Sequence, residues 1–101
     1  MIDQFDGFDW DAGNVQKCVK HGVAQATIER LFSTELLVRP DVTHSSAERR
    51  FQAVGRIETG KAVFLVFTIR PHNGKTYIRP ISARYMHRKE VKRYEEEVSR
   101  L

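Results

Sequence analysis

Two arginines near the end of the last predicted strand are the residues best suited to chemistry on a phosphodiester. Arg79 and Arg84 lie in the run Ile78-Arg79-Pro80-Ile81-Ser82-Ala83-Arg84, which leads into a segment rich in arginine and lysine. A guanidinium group forks onto two phosphate oxygens and stays charged throughout a reaction. Because the two positions differ by five, they have opposite parity in a regular strand, which a bulge at Pro80 would change. The alternative is that both arginines are simply solvated.

Candidates for proton transfer and for nucleic-acid contact lie elsewhere in the chain. His21 follows Lys20 at a predicted helix end, where it could carry a proton near neutral pH or serve only as a cation at the helix C terminus. Glu48 and Arg49 could supply a carboxylate base and a phosphate ligand, or they could begin a strand as ordinary polar residues. Trp10 could stack on a base or pack in the core. For each pattern the structural role is the more common one.

The remaining residues argue against a metal, a cofactor or a covalent nucleophile. The histidines, His21, His44, His72 and His87, are scattered without a second ligand at metal-binding spacing. The glycines stand singly, so no phosphate-binding loop is present, and no serine occupies a Gly-x-Ser-x-Gly elbow. Cys18 lies in a predicted helix beside apolar residues, where a packed cysteine is more common than a reactive one. We therefore expect no cofactor.

Charge is distributed unevenly along the chain. The formal net charge is +4 and the pI is about 9.5. The first eleven residues hold four aspartates and no base, whereas Arg49 to Arg93 contains twelve lysines or arginines against two glutamates. A basic surface of this kind favours a polyanionic partner such as RNA or DNA. The alternative is a solvated basic face without such a partner.

The chain shows no sign of export or of membrane insertion. Its N terminus is acidic and lacks the regions of a signal peptide, and its longest apolar stretch, Ala62 to Phe67, is too short to span a bilayer. The single cysteine cannot form an internal disulfide. We expect one domain over residues 1–101, without linkers or repeats, in a reducing cytoplasm.

The elements that must position these residues follow from periodicity. A short edge strand is predicted over Phe5 to Trp10, and Asp11 is placed to cap the first helix. The first helix is predicted over Ala12 to His21, with Val15 and Val19 on its apolar face and Gly22 after its end. The second is predicted over Ala24 to Phe32, with Ile28, Leu31 and Phe32 buried. The third is predicted over Met86 to Leu101, with Val91, Tyr94, Val98 and Leu101 buried.

Between the helices the pattern predicts a sheet. The strands are Leu36 to Arg39, Arg49 to Ile57, Ala62 to Ile69 and Thr76 to Arg84, with a polar loop over Asp41 to Ala47. Ala62 to Ile69 is apolar at nearly every position, which indicates a central strand covered on both faces. Asn73-Gly74 predicts a tight hairpin turn, and Pro80 must lie at an edge or a bulge. The fold class is α+β, with an antiparallel sheet of about four strands, two N-terminal helices and one C-terminal helix.

Several of these short patterns together resemble the BrnT family of toxins, from about residue 5 to residue 97. The matching runs are Phe8-Asp9-Trp10-Asp11, Asn14, Lys20-His21-Gly22-Val23, His44-Ser45, Glu48-Arg49-Arg50-Phe51, Gly55-Arg56, Val66-Phe67-Thr68-Ile69-Arg70, Ile78 to Arg84, Arg88-Lys89-Glu90 and Tyr94-Glu95. The resemblance implies a RelE-like fold and a metal-independent ribonuclease that arrests translation. It also implies a BrnA-like ribbon-helix-helix antitoxin as partner, with two toxins and two antitoxins in one assembly.

Under this hypothesis the 2′-hydroxyl of RNA attacks the adjacent phosphate. Arg79 and Arg84 would stabilise the phosphate, and His21 or Glu48 would accept the proton. RNA contacts would come from Trp10, Lys20, Arg49, Arg88 and Lys89. Two other hypotheses remain: a basic module that binds RNA, DNA or an acidic protein without chemistry, and a basic face that chiefly binds the antitoxin.

Overall fold

The computed structural model describes residues 4–43 and 48–101. Its elements are β1 Gly7–Phe8, α1 Ala12–Val19, α2 Gln25–Leu31, β2 Leu37–Pro40, β3 Arg50–Arg56, β4 Ala62–His72, β5 Lys75–Tyr85 and α3 Arg88–Val98. The last four residues of the predicted polar loop, which include His44 and Ser45, lie outside the described residues.

The predicted α+β class is confirmed, with one correction to the sheet. Strands β2 to β5 form the expected antiparallel array, but β1 adds a fifth strand to the outer edge of β5, and this pair is parallel. The order is β1-β5-β4-β3-β2, so the sheet is mixed. Hairpin turns force β3, β4 and β5 to alternate in direction. No hairpin joins β1 to β5, so their relative direction is free.

Strand β4 is central and is covered on both faces, as its apolar run predicts. One face bears Val63, Leu65 and Phe67, which pack in a core that includes Cys18 of α1 and Ile28 of α2. The other face bears Ala62 and Phe64, which pack with Val91 and Tyr94 of α3. The two N-terminal helices therefore lie on one side of the sheet, and the C-terminal helix lies on the other.

Two local features set the register of the β4–β5 hairpin. Asn73 and Gly74 have φ angles of 52° and 77°, as a two-residue hairpin turn of the predicted type requires. Further along, Phe67 pairs with Pro80 whereas Val66 pairs with Ser82, so Ile81 is the extra residue of a bulge. The predicted irregularity at Pro80 is confirmed. Proline has no N–H to donate to a ladder, which suits a position where the pairing is interrupted.

Helix α1 begins as predicted but buries a different face. The Asp11 carboxylate accepts hydrogen bonds from the backbone N–H groups of Gly13 and Asn14. Asn14 and Cys18 are the buried residues of the helix, whereas Val19 is 37% exposed. The prediction that Val15 and Val19 form the apolar face of this helix is thus wrong for Val19. The Asn14 amide donates to the carbonyls of Asp9 and Pro80, which makes this polar side chain a favourable one to bury.

The other two helices follow the predicted pattern over most of their length. Ile28, Leu31 and Phe32 are buried as expected. In α3 the stripe ends earlier than predicted, because the helix ends at Val98 and Leu101 is 82% exposed. None of the helices in the described part of the chain has the length and hydrophobicity of a transmembrane span.

Candidate functional site

Helix α3 packs over only part of its side of the sheet, and we call the neighbouring part of that side the arginine face. Residues opposite each other in an antiparallel pair share a face, so the register identifies its members. They are Arg39, Arg50, Gln52, Val66, Thr68, Arg70, Arg79, Ser82 and Arg84. Helix α3 covers the neighbouring apolar positions, Val54, Ala62 and Phe64. Five arginines therefore lie on one surface of the molecule.

The bulge places Arg79 and Arg84 on this same face. Arg79 is opposite Thr68 and Arg84 is opposite Phe64. Thr68 and Phe64 are four residues apart in a regular strand, so they share parity. The extra residue Ile81 thus cancels the odd spacing between the two arginines. Without it, one of them would lie on the side that α1 and α2 cover.

Arg79 is held by two aspartates of the N-terminal segment. Its Nη1 lies 3.0 Å from Asp11 Oδ2 and 3.5 Å from Asp9 Oδ1, and its Nη2 donates to Asp11 Oδ1 at 3.2 Å. The side chain is only 15% exposed. Nη1 is buried, and neither nearby oxygen is aligned to accept a proper hydrogen bond from it. The Arg79 guanidinium is the main reason that the pKa of the Asp11 carboxyl is below its usual range.

Arg70 extends this cluster to Glu48. Its Nε and Nη2 donate to the two carboxylate oxygens of Glu48 at 2.8 and 3.1 Å, and its Nη1 lies 3.5 Å from Asp9 Oδ2. Asp9 therefore bridges Arg70 and Arg79. The hydrogen bonds between Arg70 and Glu48 lower the pKa of the carboxyl and raise the pKa of the guanidinium. Glu48 is thus ionised at neutral pH.

At the α3 end of the face, two more arginines pair with glutamates of the helix. Arg84 Nη1 donates to Glu90 Oε1 at 3.1 Å, Nη2 lies 3.0 Å from Oε2, and the guanidinium carbon lies 5.0 Å from the Phe64 ring centroid. Arg39 binds Glu97, and these arginine hydrogen bonds lower the pKa of both glutamates.

Tyr94 lies at the base of this end of the face. Arg39 stacks over its ring at 4.3 Å. The phenol lies 3.1 and 3.2 Å from the carbonyl oxygens of Gln52 and Leu37, to which it donates, and burial raises its pKa to about 12. A cleft of about 200 Å³ lies here, bordered also by Met86 and Arg93. Tyr94 is therefore a neutral structural donor rather than a base.

The chemistry available on this face is recognition of an anion with several oxygens. Arg39, Arg70, Arg79 and Arg84 each bind a carboxylate. A phosphodiester presents oxygens with similar geometry and charge, so it can replace a carboxylate on a guanidinium. The Arg70 and Arg84 side chains are 44% and 43% exposed, and exposed ion pairs contribute little stability, so the exchange is accessible at these two arginines.

Three of the predicted site residues are brought together here and three are not. Glu48, Arg79 and Arg84 all lie at the arginine face. Trp10 donates from Nε1 to Glu29 of α2 at 2.8 Å and packs against the core on the helical side of the sheet. Lys20 and His21 are exposed at the C-terminal end of α1. Neither side chain forms a hydrogen bond or an ion pair with any residue that the structure describes.

Arg79 and the pair Lys20 and His21 lie at opposite ends of α1. Arg79 binds Asp11 at the N-terminal end of α1, whereas Lys20 and His21 follow the other end of this helix. Eight helical residues span about 12 Å.

The remaining predicted contacts lie at the rim. Arg49 is an exception: its guanidinium lies 5.7 Å from the ring centroid of Phe51, which packs against the core on the helical side of the sheet, and its backbone oxygen accepts from Thr68 Oγ1. Arg88 and Lys89 are exposed in the first turn of α3, beside Glu90.

Sequence reasoning missed Arg70, Arg39 and the two aspartates as members of the cluster. The sequence did contain the information needed to place Arg70. A two-residue turn at Asn73-Gly74 sets the register of the hairpin, and that register pairs Thr68 with Arg79. Arg70 is two residues from Thr68 and therefore shares its face. No comparable local signal pairs Asp11 with Arg79, because the two residues are 68 positions apart.

The described part of the chain holds no group of three His, Cys, Asp or Glu side chains arranged to bind a metal ion. His44 lies outside the described residues. Cys18 is fully buried, and burial raises the pKa of its thiol to about 11, which favours the unreactive protonated form.

Comparison with known proteins adds one finding. The sequence model of a family described as "Ribonuclease toxin, BrnT, of type II toxin-antitoxin system" matches residues 10–90. The match spans both the Arg79–Asp11 contact and the Arg84–Glu90 pair. No individual curated protein matches the chain significantly.

Proposed function

This chain belongs to the BrnT family of ribonuclease toxins of type II toxin-antitoxin systems, and we propose that the arginine face is the active site of a metal-independent endoribonuclease that arrests translation. The observation that carries this proposal is the placement of Arg79 and Arg84 on one open sheet face, with Glu48 at its edge. Family membership implies an RNA substrate and an antitoxin partner. The site and the mechanism are our proposal.

The proposed reaction is an internal transfer of the phosphoryl group. A base removes the proton from the 2′-hydroxyl, the 2′ oxygen forms a bond to phosphorus, and the bond from phosphorus to the 5′ oxygen breaks. The leaving 5′ oxygen takes up a proton, and the products carry a 2′,3′-cyclic phosphate and a 5′-hydroxyl. Negative charge grows on the phosphate oxygens in the transition state, and positioned guanidinium groups stabilise it. This stabilisation requires no metal ion.

We assign the two arginines to the phosphate and Glu48 to the proton. Arg79 and Arg84 exchange their carboxylate partners for phosphate oxygens when RNA binds. Glu48 is ionised and lies on the same side of the sheet, whereas His21 lies on the helical side, so Glu48 is the better candidate for proton acceptor. Its lowered pKa makes it a modest base, and electrostatic stabilisation by the arginines then supplies most of the rate.

The other predicted residues take supporting roles at the periphery. Arg88 and Lys89 contact flanking phosphates from the rim of the face. Trp10, Lys20 and Arg49 lie on the helical side, and RNA reaches them only if it passes around the sheet edge.

We propose a BrnA-like ribbon-helix-helix protein as the antitoxin, acting in the cytoplasm within an assembly of two toxins and two antitoxins. Four arginines of the face already form ion pairs with carboxylates of this chain. An acidic antitoxin segment would meet the same charge requirement as RNA and would therefore compete with it.

The decisive experiment is incubation of the purified protein with RNA and identification of the ends produced. We expect cleavage with cyclic phosphate termini in the presence of a chelator. The Arg79→Ala, Arg84→Ala double variant should lose at least about 100-fold in rate, the typical effect of removing charge stabilisation. Arg100→Ala, which also removes an exposed arginine, is the control. Intact RNA with the wild-type protein, or full activity of the double variant, would overturn the assignment.

The proton acceptor has a separate test. Glu48→Gln should slow cleavage at saturating RNA and abolish the acidic limb of the pH–rate profile, whereas His21→Gln should change neither. The reverse result would move the role to His21. If the wild-type protein binds RNA with a steep salt dependence but leaves the RNA intact, the protein is a binding module.

Neutralisation has a test in cells. Growth arrest upon induction, relieved by co-expression of the adjacent reading frame, is the expected result. Arrest that the adjacent gene does not relieve would contradict the proposed partner.

A further inference from the structure

A second basic surface lies on the far side of α3 from the arginine face, and we call it the α3 cleft. It has a volume of about 540 Å³ and lies between the β3–β4 turn and the helix. Its charged lining consists of Arg56, Lys61, Arg88, Lys92 and one acid, Glu95. The cleft thus has an excess of three positive charges.

The cations of this cleft differ from those of the arginine face in their partners. Within residues 4–43 and 48–101, none of the four forms an ion pair with a carboxylate. Arg56 donates to the carbonyl oxygen of Gly60 at 2.9 Å, and Lys61 lies over the Tyr85 ring at 4.4 Å. On the arginine face, by contrast, four arginines are each neutralised by an acidic side chain. The α3 cleft therefore carries positive charge that no carboxylate among the described residues pairs with.

The two surfaces meet at Met86. This residue borders both the small cleft beside Arg84 and the α3 cleft. Met86 precedes α3, and its backbone N–H donates to the carbonyl oxygen of Ala62 at the base of the sheet. A flexible polyanion on the arginine face can thus continue past the first turn of α3 without leaving basic surface.

We propose that the α3 cleft binds the phosphates of the substrate RNA that flank the cleavage site. The inference rests on the proposed ribonuclease function and adds a substrate-binding subsite to it. Unpaired cations attract phosphates without the cost of breaking an existing ion pair, and their contacts to phosphates hold the strand without reading its sequence. The arginine face performs the reaction, and the cleft supplies affinity and preference for longer RNA.

The test compares RNA length and salt dependence in two variants of equal charge. The cleft variant is Arg56→Gln, Lys61→Gln, Lys92→Gln, and the control is Lys17→Gln, Lys75→Gln, Arg100→Gln, three exposed bases elsewhere. The ligands are 2′-O-methyl RNA oligomers of about four and about twelve nucleotides, which lack the attacking hydroxyl and cover the usual range of site sizes. Thermal denaturation checks that both variants fold.

We expect the wild-type protein to bind the longer oligomer more tightly, and the cleft variant to bind both oligomers equally. The slope of log K against log salt concentration should fall in magnitude by about 2 for the loss of three phosphate contacts. The control variant should keep the length preference, and the cleft variant should still cleave a short RNA at the wild-type rate.

Three results would overturn the inference. An equal loss in both variants would show a general effect of net charge. Unchanged binding by the cleft variant would show that RNA does not occupy the cleft. Loss of binding to a polyglutamate peptide, with RNA binding intact, would assign the cleft to an acidic protein. Failure of the proposed function looks different, because the wild-type protein would then cleave no RNA.

Discussion

Asp11 caps helix α1 and binds Arg79 with the same carboxylate. Its Oδ1 accepts from the backbone N–H groups of Gly13 and Asn14 at 2.9 and 3.2 Å and from Arg79 Nη2 at 3.2 Å, while Oδ2 lies 3.0 Å from Arg79 Nη1. The start of the first helix is therefore connected directly to the residue proposed to bind phosphate. A change at Asp11 should affect both RNA affinity and acid stability.

Asp11→Asn should increase the affinity of the protein for RNA. Asparagine is a good helix N-cap, so the helix start is preserved, while the negative charge that competes with phosphate for Arg79 is removed. The measurement is the Kd for a 2′-O-methyl RNA oligomer at fixed salt. Asp6→Asn is the control, because it removes the same charge from the same segment, at a residue that accepts from the Thr76 backbone N–H. Equal gains in both variants would show that only net charge matters.

Stability should fall as the pH is lowered below about 5, because several carboxyls have folded-state pKa values below their ordinary ones. The pKa values of Asp11, Glu48, Glu90 and Glu97 are lowered, in each case chiefly by a hydrogen bond from an arginine. The folded protein binds protons less readily than the unfolded chain, so this stabilisation is present above the ordinary values of 3.8 and 4.5 and is lost below them.

Urea denaturation at a series of pH values checks this expectation. The free energy of unfolding of Asp11→Asn should depend less steeply on pH in the acid range than that of the wild-type protein. Glu58→Gln, in an exposed turn, should leave the slope unchanged. A wild-type stability that is constant through the acid range would contradict the assignment of these ion pairs.

Cys18 should be unreactive in the folded protein. It is fully buried, and its pKa is raised to about 11, so both access and ionisation oppose modification at neutral pH. A thiol reagent should label the native protein far more slowly than the urea-unfolded protein. Cys18→Ser should cost about 1 to 3 kcal/mol because it buries a hydroxyl without a partner, and Cys18→Ala should cost less than Cys18→Ser. Equal labelling of native and unfolded protein would contradict the buried position.

Gly55→Ala should destabilise the protein by about 1 to 3 kcal/mol through overpacking. A Cβ at this position would lie 2.6 Å from Leu36 Cδ2 and 3.1 Å from Leu31 Cδ2, and both leucines are buried. Leu36→Val removes the nearer atom, so the Gly55→Ala, Leu36→Val double variant should be more stable than the sum of the single effects predicts. Additive effects in urea denaturation would show that the two residues do not meet.

Much of the fold was predictable because it depends on local patterns. The cap at Asp11, the turn at Asn73-Gly74, the central position of β4 and the irregularity at Pro80 each follow from one short stretch of sequence, and the structure agrees with all four. The buried face of α1 was mispredicted, because Asn14 gains its partner from the distant carbonyl of Pro80. A polar residue therefore replaced the expected valines at the helix–sheet contact.

The sequence by itself determined the α+β class, the family resemblance, the buried state of Cys18 and the identity of Arg79 and Arg84 as phosphate ligands to test. Only the tertiary structure decided which of the candidate residues share a surface. It paired Arg79 with Asp11 and Arg84 with Glu90, and it left His21 on the helical side. The physical reason is that alternation along a strand shows only which side chains share a face within that strand. The bulge at Ile81 brings Arg79 and Arg84 onto the same face. The contact between Asp11 and Arg79, which are 68 positions apart, then joins the start of α1 to that face.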